Sequence, residues 1–390
     1  MIFVSLEKYK YAVALFLLII CGLLYNHYYF AVSDHTYKIP FLKAIFNPEL
    51  YARDITVSMK SYYTTYFHLL VWPFERVFGF EIAFFIIYVL TQLLFYISIY
   101  LLTNAIFKNR MTGLIAVALL LFPKEVLGGI ATFDPLVEER SVAFSLLLFG
   151  IYLLIVNKYI LSSCLFAFAA SIHFVTFVNI GIFVIVFFLI NFLINKKEKK
   201  QLAKNYLSFC VLLFLGTLPF VVKSTLFSPQ RDLFATVDPV WLKMILVRSA
   251  HHFYPNYKSF LFFTLASVLI VLFFFIIQTF DEKRIRKGLV LYASSIISMG
   301  SGCILGCIFI KVYPSSIGVQ LSFFRASYMF VILTYIMLAY ILGKILNRYI
   351  IGIVVFCGFI NRTVLFIMLC AISGGLLILQ HVGFKSMPLT

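Results

Sequence analysis

The chain has 390 residues, of which 63% are apolar and 12% charged, with a formal net charge of +17. A soluble domain is about 45–50% apolar and about 25% charged. The composition excludes a soluble enzyme, a disordered chain and a DNA-binding domain, because the Lys and Arg residues lie between apolar blocks rather than on one solvated face.

A membrane span needs about 20 apolar residues. Apolar segments run near 11–31, 80–106, 111–122, 141–156, 159–172, 174–194, 206–222, 259–279, 289–310, 323–343, 349–360 and 363–380. They predict an all-α polytopic membrane protein with about eleven or twelve transmembrane helices. The 111–122 segment is expected to extend beyond Pro123, and the last two segments read as a tight hairpin or one broken span. Residues 1–390 are expected to form a single transmembrane domain, with the first apolar run read as a span and not a removed signal peptide. The seven cysteines all fall in apolar stretches and contain no CxxC pair, so they read as small apolar side chains.

The positive-inside rule puts the N-terminus in the cytoplasm. The inner loops then carry 17 of the 32 basic residues and four of the 15 acids. The other eleven acids fall on the outer side, around three long segments near 32–79, 123–140 and 223–258. The basic excess is mostly a topology signal, and chemistry is expected on the outer face. The expected location is a bacterial inner membrane, with membrane lipids as neighbours and no nucleic-acid partner.

In the first outer segment, Asp34 follows closely on the first span, and partial desolvation there would suit it to accept a proton. The competing structural reading is an N-cap for a short helix beginning at SDHTYKIPF. Residues 61–78 are rich in Tyr and interrupted by Pro73, Glu75 and Arg76, which predicts a helix lying along the outer leaflet. The second segment sets Asp134, Glu138 and Glu139 beside Arg140, either as an ion pair or as a phosphate ligand, with Gly128 and Gly129 loosening the backbone. His173 sits at the turn between two spans. In the third segment Arg248, His251 and His252 fall within one helical turn and suit a phosphate. The HH pair alone is a weak metal signal, so no metal site or cofactor is implied, although a divalent metal stays open. Arg325 ends the set in SFFRASYMF, as a lipid-phosphate ligand or a snorkelling cation.

The order of these features resembles the GT-C superfamily of membrane glycosyltransferases, and more specifically an uncharacterised bacterial family of GT-C-like membrane proteins. The resembling stretches are SDHTYKIPFLKAIFNPELYARD, LGGIATFDPLVEERSVAF, ASIHF, RSAHHFYP and FFRAS, which span most of the first 330 residues in order. The resemblance implies interfacial helices in the first outer loop. It implies inverting transfer of a sugar from a polyprenyl-phosphate donor to a glycan, lipid or protein acceptor on the periplasmic face. Asp34 would be the base, with Asp54 a second candidate. Arg248, His251, His252 and Arg325 would hold the leaving phosphate, and Arg140 and His173 would shape the site. The departure from the pattern is His35, which stands where an acidic pair would continue from Asp34. The competing functions are a flippase or transporter of lipid-linked saccharides, a polysaccharide polymerase or acyltransferase, and a non-catalytic assembly factor.

Overall fold

A computed structural model describes residues 2–58, 65–195, 198–226, 234–254, isolated positions between 261 and 270, and 282–345. The protein is an all-α polytopic membrane protein. It is 82% helical without a named strand, and six helices are long and apolar enough to cross a membrane among the described residues. The expected spans at 349–360 and 363–380, and most of that at 259–279, lie outside the described residues.

Helix α1 (Ile2–Asn26) ends earlier than its apolar run. His27, Ala31 and Ser33 all adopt positive φ, so the chain turns sharply after the helix. The turn is pinned to the second loop by the Tyr29 N–H, which donates to Pro135 O at 2.8 Å. Helices α2 (His35–Phe46) and α3 (Ile55–Ser58) follow. Helix α4 (Phe67–Phe107) breaks at Gly79, whose φ of 78° and ψ of 168° suit glycine. The chain 67–78 is therefore a separate helical arm before the long span. The stretch expected to be an interfacial helix is helical over that part, and its beginning at 61–64 lies outside the described residues.

Helix α5 (Arg110–Leu119) stops before Pro123 and does not extend past it, contrary to expectation. Proline offers no N–H and restricts the residue before it. The chain instead folds into a buried irregular loop, in which the Lys124 N–H donates to Thr132 Oγ1 and the Val126 N–H to Ile130 O. Helices α6 (Glu139–Ile155), α7 (Tyr159–Ile172), α8 (Phe174–Ile194) and α9 (Lys199–Leu226) form successive antiparallel crossings. Then come α10 (Pro239–Arg248), α11 (Ala250–Phe253), α12 (Glu282–Cys307), α13 (Ser316–Gln320) and α14 (Tyr328–Ile345).

Burial separates the greasy helices that composition could not. Along its apolar window the last span is 89% buried, whereas α9 is 11% and α1 is 17% buried. Helix α14 is thus the central post, with α5 against it and the long span of α4 beside α5, and α9 and α1 offer their apolar faces outward. Close crossings use small residues. A side chain at Gly150 would meet the Phe166 ring at 2.8 Å, and the Ser162 hydroxyl donates to Gly150 O across the same contact.

The helix ends sort by charge. One end gathers Asp34, Lys38, Asp134, Glu138, Glu139 and Arg140. The opposite end carries Lys108, Arg110, Lys158 and Lys199 and is nearly free of acids. We refer to these as the acidic and basic ends.

Candidate functional site

The acidic end is assembled by loops that the sequence separates by a hundred residues or more. His35 is fully buried, with its Nε2 2.8 Å from Val137 O and its Nδ1 accepting the Ala31 N–H at 3.2 Å. Those partners assign an Nε2–H tautomer that donates to Val137 O. Burial lowers its pKa despite the Val137 bond, so the ring is neutral near pH 7. The residue that departs from the acidic pair is therefore the peg that fixes Asp34 against the second loop.

Lys38 lies one turn after Asp34 and is buried. Its ammonium bonds Glu138, lies 2.7 Å from Glu139 Oε2 and lies 3.6 Å from Asp34 Oδ2. Three carboxylates thus face one cation. Glu138 and Glu139 keep only 3% and 2% of their side chains exposed, whereas Asp34 keeps 41%. The desolvation expected at Asp34 falls on Glu138 and Glu139 instead. Burial pushes the Glu138 carboxyl up to about 7, against the pull of Lys38. Lys38 shifts upward, because the two glutamates outweigh its own burial.

Arg140 is an ion pair. Its Nε and Nη2 donate to the two oxygens of Asp134 at 3.0 and 2.9 Å, and the Ser141 hydroxyl donates to Asp134 at 2.7 Å. This bidentate fork already uses the face with which Arg140 would grip a phosphate. His173 caps α8, its Nδ1 accepting the Thr176 N–H at 3.1 Å. Burial lowers its pKa first, and the positive charges of Arg325, Lys38 and Arg140 lower it further. It is a neutral ring in a basic neighbourhood.

Arg325 stands in a short 3₁₀ turn, Phe323–Ser327, at the head of α14. It is 8% exposed, makes no ion pair with any described residue, and its Nε is buried without a hydrogen-bond partner among them. Its Nη2 approaches the His252 ring at 3.2 Å from Nε2, while His252 Nδ1 lies 3.1 Å from Gly128 O. An Nδ1–H donating to Gly128 leaves the Nε2 lone pair for the guanidinium. Gly128 is required there, since a side chain would come within 2.8 Å of Arg325 Cγ. Gly129 adopts φ +64°, and the Leu127 N–H donates to Ser327 Oγ at 3.0 Å. The two glycines do not loosen the loop; they let it close on Arg325. Asp34 and Asp134 are among the charges that act on Arg325, and the buried Tyr328 hydroxyl lies among Arg140, Arg325, Asp134 and Glu138.

Asp34, His173, His252 and Arg325 therefore meet at one end of the bundle. Asp34 occupies the N-cap position of α2 but makes no capping bond. Asp54 Oδ1 accepts the Val57 N–H at 3.1 Å and so caps α3. Arg248 lies exposed at the end of α10, and Ser249 (φ −128°, ψ 39°) breaks the helix before α11, so Arg248 and His252 do not share one continuous helical turn. His251 lies in α11, but its side chain is outside the described residues. Sequence reasoning missed Lys38 and Tyr328. Lys38 had one signal, its spacing of four from Asp34. No group of three or more His, Cys, Asp or Glu that could hold a metal occurs among the described residues. No protein-family profile, curated protein or solved structure matches the chain.

Proposed function

We propose that the acidic end is the active site of a membrane glycosyltransferase that moves a sugar from a polyprenyl-phosphate donor to an acceptor on the outer, periplasmic face. The N-terminus would be cytoplasmic and the host membrane a bacterial inner membrane. The observation that carries this reading is a buried guanidinium, that of Arg325, which makes no ion pair among the described residues and shares its end of the bundle with the accessible carboxylate of Asp34. A cation packed away from water without a counter-charge is costly, and an anionic ligand relieves that cost. Arg325, backed by His252, is the group for the leaving phosphate. Asp34 is the carboxylate with room for an acceptor hydroxyl.

The reaction balances simply. The acceptor oxygen attacks the anomeric carbon, its proton passes to Asp34, and the bond from the anomeric carbon to the phosphate oxygen breaks. The departing lipid phosphate takes the electron pair and is held by Arg325. Glu138 and Glu139 orient Lys38, which sets the field around Asp34. Attack opposite the leaving group inverts the anomeric centre. The resemblance to GT-C enzymes and the acid-rich outer loops support the same assignment.

The test separates the two roles by kinetics. With membranes containing the full chain and a polyprenyl-phosphate sugar, Arg325→Gln should raise KM for the donor. Asp34→Asn should lower kcat with donor affinity retained. Unchanged donor KM in Arg325→Gln would remove the phosphate assignment.

A further inference from the structure

We infer that the basic end holds a second site, one that binds the phosphate headgroup of an anionic phospholipid. A cleft of about 290 Å³ opens there between the end of α6, the end of α8 and the starts of α7, α9 and α12. It lies at the opposite end of α6 and α8 from Asp34 and Arg325, so it shares nothing with the proposed transfer site. Its size is near the lower limit for small-molecule clefts, about 300 Å³, and suits a headgroup.

The lining is polar and carries net positive charge. Arg286 and Lys287 face it, against the single acid Glu198. The Lys287 ammonium donates to Ile155 O at 3.0 Å, the carbonyl that ends α6. An ammonium has three N–H donors, and no described residue takes the other two. Amides on the far wall are already fixed. Asn195 Nδ2 donates to Asn191 Oδ1 at 2.6 Å, and Asn191 Nδ2 donates to the Tyr206 hydroxyl at 2.5 Å. A rigid polar wall facing two cations can bind an anion with little ordering cost.

The flanks decide for a lipid over a soluble anion. Phe187, Ile194 and Leu202 line the same cleft. Beside it Leu193 and Leu207 are 65% and 66% exposed, on the faces that α8 and α9 turn outward. A ligand seated here has cations around its head and an apolar surface beside its tail. Basic pockets between spans on the positive side of a membrane protein commonly take anionic headgroups.

The experiment uses the full chain in detergent micelles, titrated with phosphatidylglycerol, phosphatidylcholine or inorganic phosphate, with melting temperature as the readout. Phosphatidylglycerol should stabilise the wild type and phosphatidylcholine should not. Arg286→Gln/Lys287→Gln should weaken phosphatidylglycerol roughly 25-fold, given the usual contribution of two basic residues near an anionic surface. Glu198→Gln, an exposed change that raises the charge of the cleft, should strengthen it; this arm stands even if the double variant fails to fold. Lys199→Gln/Lys200→Gln, at the same end but outside the cleft lining, should leave the titration unchanged. Undiminished phosphatidylglycerol binding in the double variant, or no gain in Glu198→Gln, overturns the site. An equal loss in the Lys199/Lys200 pair would reduce the effect to general surface charge and overturn it too. Equal stabilisation by inorganic phosphate would overturn the lipid assignment.

Discussion

Replacing Lys38 with Met probes the acidic end most sharply, because Met keeps an apolar stem and removes only the ammonium. Glu138 and Glu139 then stay buried with no shared cation, at 3% and 2% side-chain exposure. At 2.7 Å and an effective dielectric near 20, the Lys38–Glu139 attraction is about 6 kcal/mol before desolvation is subtracted. Removing one member of a buried pair typically loses about 3–5 kcal/mol, and that is the loss expected at pH 8. The loss must depend on pH. The Glu138 carboxyl is raised from 4.5 to about 7 in the folded protein, so between those values the folded state holds more protons than the unfolded one. Stability from this group is fully present at low pH and falls as pH rises through about 7. Without Lys38 the neutral carboxyl is favoured further, so its folded pKa moves above about 7, and between that higher value and about 7 each unit of acidification should close the gap to wild type by about 1.4 kcal/mol. Melting temperatures of Lys38→Met and wild type in the same detergent, at pH 5 through 8, provide the assay. The gap should be widest at pH 8, should narrow at pH 5, and should shrink at pH 8 when Glu138→Gln is added. A gap that does not change with pH would refute the electrostatic account of this cluster.

Three further outcomes follow from the geometry. Gly128→Ala should cost about 1–3 kcal/mol by overpacking against Arg325, and should weaken donor binding alongside the melting temperature. Asp54→Ala should cost only about 1 kcal/mol, the worth of a lost helix cap, and leave transfer intact; loss of transfer without loss of stability would identify it as a base. Asn26→Ala removes three side-chain bonds, to Gly22 O, Tyr96 Oη and Leu121 O, and should lower stability by about 1–3 kcal/mol in a melting experiment without a change in pH dependence.

The helices were legible wherever an apolar run ended in a clear stop. Residues 174–194 appear with the bounds their composition suggested. Pro123 misled, because the hydrophobic pattern beyond it belongs to a buried loop and not to a helix. Legibility in the site followed the same line. Asp34 and Arg325 stood out as lone charges at span ends, and the structure does bring them to one place. Arg140 was read correctly as flanked by acids, yet its partner is Asp134 and not the adjacent glutamates, because those turn to Lys38. A partner 100 residues away leaves no periodic trace in a sequence. Gly128 shows the other blind spot: its role is set by the close approach of Arg325, which only tertiary packing creates.

In the proposed transfer at the acidic end, Asp34 accepts the proton of the acceptor hydroxyl. The most direct measurement of that role is single-turnover transfer of a radiolabelled sugar from a polyprenyl-phosphate donor by the purified, reconstituted chain, wild type against Asp34→Asn. Labelled product is expected from the wild type, with a loss of roughly 10²-fold or more in the variant while the donor is still bound. Equal product from both proteins would contradict it.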